Sequence, residues 1–252
     1  MNAQNTWQLL AYVILPYVAL AVFVCGHIWR YHFDQLGWTS RSSQLYERRW
    51  LLLGSPLFHY GALAAIGGHV LGLLVPASWT AAVGITQADY EIISKVAGTS
   101  AVAFCVAGLV ILTVRRAAGD RVRLATDGMD VVALGLLWAM IVLGFVETVV
   151  YNVLGPGYNY RPTVSVWLRG IFTLHPNVAD VAHAPMVFQA HAIVAWFFLA
   201  LFPFTRFVHF WSAPVGYLTR PFIVYRRRRT AAILSPGESA GWQTAGRSAR
   251  RR

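Results

Sequence analysis

Long uninterrupted stretches of apolar residues alternate with short polar stretches along most of the chain. Inside each stretch the apolar residues run continuously rather than at every second position, which is typical of membrane-spanning helices and not of a β-barrel. Five stretches reach the roughly 20 residues that an α-helix needs to cross a bilayer. The pattern therefore predicts an all-α integral membrane protein, a bundle of five transmembrane helices. The predicted spans are residues 7–29, 50–75, 92–114, 131–152 and 184–211.

Composition leads to the same class and limits the number of domains. Of the 252 residues, 57% are hydrophobic and 12% are charged, and the mean hydropathy is +0.51. A soluble domain would carry roughly a quarter charged residues. The loops are too short to hold a separate domain, so we expect one transmembrane domain over residues 1–229. Residues 230–252 form a basic tail without an apolar period, which we expect to be cytoplasmic and disordered.

The ends of the chain and the long loop before the fifth span give two smaller expectations. The N-terminal stretch has no basic region and no small-residue cleavage site, so we expect a retained helix rather than a signal peptide. Residues 164–174 lie in the loop between the fourth and fifth spans and contain enough apolar residues for a short helix. We expect that helix to lie on the outer surface of the membrane.

The net charge of +11 comes mainly from arginines at the ends of the spans, which indicates membrane topology rather than a nucleic-acid site. Positively charged residues favour cytoplasmic loops. Three segments are rich in arginine: the loops after the first and third spans and the segment after the fifth. The opposite side carries only Lys95, Arg161 and Arg169. The N-terminus is therefore predicted outside and the C-terminus in the cytoplasm. The arginines of the rich side are Arg30, Arg41, Arg48, Arg49, Arg115, Arg116, Arg121, Arg123, Arg220 and those of 226–229.

Four of the eight histidines lie inside predicted spans. His59 and His69 are in the second span, and His191 and His209 are in the fifth. An ionisable side chain at membrane depth indicates a functional site, and the alternative is a polar contact that joins helices. Antiparallel packing of the two spans would match His59 with His209 near the cytoplasm and His69 with His191 near the exterior. The remaining four histidines are expected at membrane interfaces or in solvent: His27, His32, His175 and His183.

The spacing of these histidines restricts how the two spans can pack. At 1.5 Å per residue, ten residues between His59 and His69 rise about 15 Å, and eighteen between His191 and His209 rise about 27 Å. The helices must therefore tilt, or the ligands must approach from different heights. In a continuous helix, eighteen residues make about five turns, so His191 and His209 would share a face, whereas His59 and His69 would lie about 80° apart.

Pairs of facing histidines favour haem over zinc. Structural or catalytic zinc normally takes three or four protein ligands, whereas two axial imidazoles complete a six-coordinate haem iron. No Cys-x-x-Cys-His run offers covalent haem attachment. The small residues Gly61, Gly67, Gly68 and Gly72 would leave room for a flat macrocycle, or would serve helix packing alone. Two b-type haems, one near each face, would make an electron path across the bilayer.

Three segments carry a resemblance to a known family: "RYHFDQLGWTSRSSQ", "LFHYGALAAIGGHVLGLLVP" and "HAIVAWFFLALFPFTRFVHFWSAPVGYLTR". With them the chain resembles, over residues 12–225, the cytochrome b (gamma) subunit of membrane-bound respiratory nitrate reductase. The resemblance implies two haem b groups, with His69 and His191 on the outer, distal haem and His59 and His209 on the inner, proximal haem. It also implies that quinol is oxidised, with release of protons, near the outer face of the bacterial cytoplasmic membrane.

The same resemblance implies partners and further site residues. Electrons would pass from the distal to the proximal haem and then to a cytoplasmic iron–sulfur beta subunit, and a molybdenum alpha subunit would reduce nitrate. Arg206 matches a family arginine near His209 and is a candidate for pairing with a haem propionate, beside a plain topological role. Family members can carry a quinone-binding lysine where this chain has Asp89, with Lys95 further on. Gly68 and His69 remain candidates for lining the quinol pocket.

Glu147 stands out as a carboxylate without an evident partner near the outer end of the fourth span. Quinol oxidation needs a proton acceptor, and a buried carboxylate with a raised pKa would suit that role; the alternative is a glutamate at the water interface. Two other functions stay open at this point. One is a related dihaem cytochrome b of a sulfur-metabolising or heterodisulfide-reductase-like complex. The other is a histidine-relay channel or transporter, although the sequence has no internal repeat.

Overall fold

The computed structural model describes residues 3–34, 37 and 45–211, with the backbone alone for 3–5. The tail at 230–252, the arginines from 220 onward, Arg41 and the segment "TSRSSQ" lie outside the described residues. Within them the chain is helical and contains no β-strand, which confirms the all-α prediction. The α-helices are α1 (Ala3–Leu9), α2 (Leu15–Phe33), α3 (Arg49–His69), α4 (Ala77–Ala82), α5 (Gln87–Ala118), α6 (Asp120–Leu124), α7 (Gly128–Phe145), α8 (Val164–Phe172), α9 (Val178–Ala182) and α10 (Met186–Leu201).

Five helices within the described residues are long and apolar enough to cross a membrane, as predicted. They differ from the predicted spans mainly at their ends, and the third span gains most. It begins at Gln87 because Thr86 and Asp89 form a capping box, in which each side chain accepts the other residue's backbone N–H. The observed spans are Thr6–Phe33, Arg49–Leu74, Gln87–Ala118, Gly128–Val153 and Met186–Phe204.

Glycines allow the second and third spans to pack closely. A Cβ at Gly61 would lie 2.6 Å from the backbone nitrogen of Cys105, and a Cβ at Gly108 would overlap the backbone of Phe58. Small residues at such crossings let two membrane helices approach each other. Of the two roles that the sequence allows for Gly61, helix packing and room for a macrocycle, the structure shows helix packing.

Three π-helical segments interrupt the spans, at Leu10–Ile14, Val70–Leu74 and Val146–Val153. Such segments are uncommon and occur frequently at functional sites. The second begins directly after His69, and the third contains Glu147. The second span, which carries His69, and the fourth span, which carries Glu147, thus change from α-helix to π-helix at the same end of the bundle.

The fifth span is not a continuous helix, and the prediction that His191 and His209 share one helical face is wrong. The α-helix ends at Leu201, a 3₁₀ turn covers Phe202–Phe204, and Thr205 is extended (φ −105°, ψ 175°). A second 3₁₀ turn, Arg206–Phe210, then carries His209. Pro203 has no backbone N–H to continue an α-helix. The position of His209 therefore depends on the break.

At the other end of the bundle, helix α8 confirms the short helix predicted for 164–174, although it is packed against the spans rather than lying free on the surface. Its Trp167 is 2% exposed and donates its indole N–H to the carbonyl of Tyr12 at 2.9 Å. Ser165 and Arg169 donate to the carbonyls of Gly72 and Leu73, at 2.8 and 2.9 Å. The helix thus satisfies carbonyls at the π-helical end of the second span.

Candidate functional site

The second and fifth spans bring their histidines together in two pairs. The ring centroids of His59 and His209 are 6.0 Å apart, and those of His69 and His191 are also 6.0 Å apart. The ring planes are inclined by 65° in the first pair and by 80° in the second. These are the two pairs that antiparallel packing predicts, one near each end of the spans.

Hydrogen bonds fix the tautomer of three of these four rings. The Nδ1 atoms of His59, His69 and His209 donate to the backbone carbonyls of Ser55, Ala65 and Arg206, at 2.7, 2.7 and 2.6 Å. Because a carbonyl oxygen only accepts, Nδ1 carries a proton, and in the neutral ring the lone pair then lies on Nε2. Neutral imidazole with its lone pair on Nε2 is the form that ligates a metal.

The distance between the paired rings fits a single iron between them. A metal-bound imidazole nitrogen lies about 2.0–2.1 Å from its metal, so two axial imidazoles place their ring centroids roughly 6 Å apart. A hydrogen bond from Nδ1 is not sufficient by itself, since exposed His183 makes the same bond to the carbonyl of Ala179 at 2.8 Å. The facing rings distinguish the two pairs. Among the described residues, no group of three or more His, Cys, Asp and Glu is arranged to hold a metal ion.

His191 differs from the other three because its Nδ1 contacts a carboxylate. The Nδ1 atom lies 2.8 Å from Oε2 of Glu147, and the two side chains are 11% and 14% exposed. The description of Glu147 as a carboxylate without a partner is therefore wrong. Both residues are placed near the outer ends of their spans by the sequence, so their common depth was a signal that could have suggested the contact.

The glycines near His69 fall into two environments. A Cβ at Gly67 or Gly68 would meet no atom within 4 Å, whereas a Cβ at Gly72 would lie 2.5 Å from the hydroxyl of Tyr160. Space for a flat ligand beside the second span is thus found at Gly67 and Gly68. Gly72 instead packs against protein.

Arg206 is held by acidic residues at the start of the fourth span. Its guanidinium lies 2.6 Å from the carboxylate of Asp130, which is 5% exposed, and donates to the carbonyl of Ala125 at 3.1 Å. Its Nε atom is buried and, among the residues described, has no hydrogen-bond partner. One donor of Arg206 therefore remains for a further acceptor, and pairing with a propionate stays a prediction.

Comparison with known proteins identifies the family of the chain. The sequence model of the family described as "Nitrate reductase gamma subunit" matches residues 8–228. The chain belongs to this family. The nitrate reductase gamma chain of Bacillus subtilis is 41% identical over 228 residues, which are 90% of this chain and 100% of that protein. The respiratory nitrate reductase 1 gamma chain of Escherichia coli is 32% identical over 216 residues, 85% of this chain and 95% of its own.

A longer relative shares the same segment. The nitrate reductase-like protein NarX of Mycobacterium tuberculosis is 43% identical over 234 residues, 92% of this chain but 36% of NarX. The chain thus spans about a third of that relative's length. Membership of the gamma subunit family, together with five membrane helices, makes the chain a multi-pass bacterial membrane protein.

Asp89 and Lys95 lie in different surroundings near the start of α5. Asp89 is exposed and is used in the capping box at the start of α5. Lys95 lies two turns further on and lines a polar cavity of about 270 Å³ together with Tyr90 and Tyr160. The carboxylate of Asp89 is therefore occupied by a local structural contact.

Proposed function

We propose that this gamma-family chain is a dihaem b membrane subunit that oxidises quinol near its outer face. It passes electrons through two stacked haems to a cytoplasmic iron–sulfur subunit, and a molybdenum subunit reduces nitrate. The observation that carries the proposal is that one histidine of the second span and one of the fifth lie with their ring centroids 6.0 Å apart in each of two pairs. Bound haem would supply one-electron transfer between the two ends.

The residues of the chain would hold and orient the two groups. His59 and His209 would bind the inner haem, and His69 and His191 the outer one, each through Nε2. The Nδ1 hydrogen bonds restrict rotation of the rings, because each ring is fixed by a second contact. Gly68 and His69 would line the quinol pocket, where a Cβ on the glycine would meet nothing within 4 Å.

Glu147 is also proposed as the proton acceptor for quinol oxidation. Its hydrogen bond to His191 makes it a positioning group in addition, so the two roles need separate tests. For the proton role, we expect Glu147→Gln to slow quinol oxidation while both haems stay bound. An unchanged rate of quinol oxidation with full haem content would contradict the proton role.

A visible spectrum tests the main proposal. The reduced-minus-oxidised spectrum of the purified chain should show b-type bands for two haems per chain. His59→Ala and His69→Ala should each lose one of the two, and a different one, because they belong to different pairs. His183→Ala is the matched control, since that histidine is exposed and makes the same type of Nδ1 bond.

Two outcomes would overturn the proposal. A wild-type chain without b-type bands would favour a histidine-relay channel, and the loss of both haems in one folded variant would contradict separate sites. The complex supplies the functional measurement. Nitrate reduction driven by quinol should require this subunit, and the same complex without it should reduce nitrate only with an artificial electron donor.

A further inference from the structure

The two histidine pairs differ in the charge of their hydrogen-bond acceptors. Three Nδ1 atoms donate to neutral backbone carbonyls, and only that of His191 contacts a carboxylate, at 2.8 Å from Oε2 of Glu147. The pair His69–His191 therefore has one ligand with an anionic partner. In the pair His59–His209, each Nδ1 donates to a backbone carbonyl, which carries no net charge.

Packing keeps this contact away from water. The side chains of His191 and Glu147 are 11% and 14% exposed. The imidazole lies against the fourth span at Gly144, one turn before Glu147, where a Cβ would be 3.4 Å from Cε1 of His191. Electrostatic interactions are stronger in such a low-dielectric environment, and hydrogen bonds to an ionised partner are stronger than those between neutral groups.

We propose that Glu147 is a positioning residue that holds the reduction potential of the outer haem below that of the inner haem. This inference rests on the proposed function. If Nε2 of His191 binds iron, its proton lies on Nδ1 and must be donated to the carboxylate. A carboxylate partner makes the imidazole a stronger electron donor, and hydrogen bonds to the ligating side chain are among the factors that set a haem potential.

The sign follows from the charges. Ferric iron carries one more positive charge than ferrous iron, so a nearby carboxylate and a more basic ligand stabilise the ferric form and lower the potential. Transfer of one electron then oxidises the outer haem and reduces the inner haem, with both ligand pairs retained. The direction from outer to inner would thus be favoured by a residue that contacts only the outer pair.

A redox titration of the b haems tests the inference in membranes that contain the full chain and its partners. Glu147→Gln keeps the shape of the side chain and removes its charge. We expect the outer potential to rise so that the equilibrium constant for outer-to-inner transfer falls about tenfold, which is roughly 59 mV for one electron. The inner potential and the haem content should stay unchanged. His59→Ala and His69→Ala identify which potential belongs to which haem.

Asp180→Asn is the matched control. It removes a carboxylate from the same end of the bundle, where Asp180 accepts a hydrogen bond from the side chain of Asn177 at 3.2 Å. We expect it to leave both potentials at their wild-type values. A comparable rise in the outer potential in this control would overturn the specific role of Glu147, because any lost charge at this end would then suffice.

The remaining outcomes also decide the question. Two bound haems with unshifted potentials in Glu147→Gln would overturn the inference and leave the proposed function intact, whereas a wild-type chain without haem would overturn the proposed function itself. If the Glu147→Gln variant loses the outer haem, the Glu147→Asp variant is measured instead, because it retains the charge and lengthens the contact. A rise of the outer potential that is smaller than the one expected for Glu147→Gln, with the inner potential unchanged, would then support the inference. Unshifted potentials, or loss of the outer haem here too, would overturn it.

Discussion

At the scale of single residues, the glycines of the second and third spans differ in what an added methyl group would meet. At Gly61 and Gly108 it would collide with the backbone of the facing helix, whereas at Gly67 it would reach open space. Backbone atoms cannot move aside as the end of a flexible side chain can. The close approach of the two helices thus depends on Gly61 and Gly108, and not on every glycine of the motif.

We therefore predict that Gly108→Ala destabilises the chain. The Cβ would overlap the backbone of Phe58, so the free energy of unfolding should fall by about 1–3 kcal/mol, the usual cost of overpacking. Thermal unfolding in detergent measures the change. Gly67→Ala is the control and should be neutral or stabilising by up to about 1 kcal/mol, as alanine is the better helix former. Equal losses in both variants would contradict this account of the helix contact.

Tyr160, in the loop after the fourth span, leads to a prediction about pH. Burial raises its pKa above the ordinary value, and the hydrogen bond with Tyr90 raises the pKa further. The folded chain then keeps the phenol proton at a pH where the unfolded chain has lost it. The stabilisation is fully present below about pH 10, the ordinary tyrosine value, and is lost as the pH rises above it.

We thus expect the melting temperature of the wild-type chain to fall as the pH rises above about 10, and to fall less in Tyr160→Phe. Thermal unfolding at a series of pH values in detergent would show the difference. Tyr46→Phe serves as the control because Tyr46 is exposed. If the pH dependence is as shallow in this control as in Tyr160→Phe, the role given to Tyr160 is wrong.

At the scale of elements, the apolar pattern is sufficient to predict five spans and the matching of the histidines. Both depend on local composition and on counting residues along helices. The break at Thr205 and the contact between Glu147 and His191 depend on partners that are distant in sequence. Pro203 could have suggested a break, but an apolar stretch with one proline is equally compatible with a kinked continuous helix. Side-chain partners of this kind become visible only when the helices are packed.

The broken end of the fifth span is held by a buried arginine of the first span. Arg30 donates to the carbonyl of Pro203 at 2.7 Å and to that of Gly37 at 2.8 Å. It also lies 3.2 Å from the carboxylate of Asp34. The carbonyl of Pro203 has left the α-helical ladder, so Arg30 provides a donor that the backbone does not. This contact fixes the turn that leads to His209.

Arg30→Gln should therefore weaken the inner haem site selectively. We expect a loss of about 1.5–3 kcal/mol in the free energy of unfolding, typical of hydrogen bonds to a charged group, and less inner haem with the outer haem retained. The ratio of haem to protein and the reduced-minus-oxidised spectrum measure both effects. Arg48→Gln removes a charge from the same end at an exposed position and should change neither. Loss of the outer haem instead of the inner one would contradict the role of Arg30.

At the scale of the whole molecule, the two ends of the bundle differ in charge and in cover. One end holds arginines in ion pairs. For example, Arg115 at the end of α5 donates to the carboxylate of Glu47, which lies just before α3, at 2.7 Å. The other end is closed by α8, which binds the carbonyls of Gly72 and Leu73. His209 lies at the arginine-rich end, since its own Nδ1 donates to the carbonyl of Arg206. The distribution of arginine predicts that this end faces the cytoplasm.

Accessibility of engineered cysteines tests this orientation. Ser78 lies in α4 and Ala118 at the end of α5, both are exposed, and the third span separates them. In a chain with Cys25 and Cys105 replaced by alanine, a membrane-impermeant maleimide should label the Ser78→Cys variant in intact spheroplasts. The Ala118→Cys variant should react only after the membrane is opened, because positively charged loops stay in the cytoplasm. The reverse pattern would place the pair His69–His191 on the cytoplasmic side and would thereby also contradict quinol oxidation at the outer face.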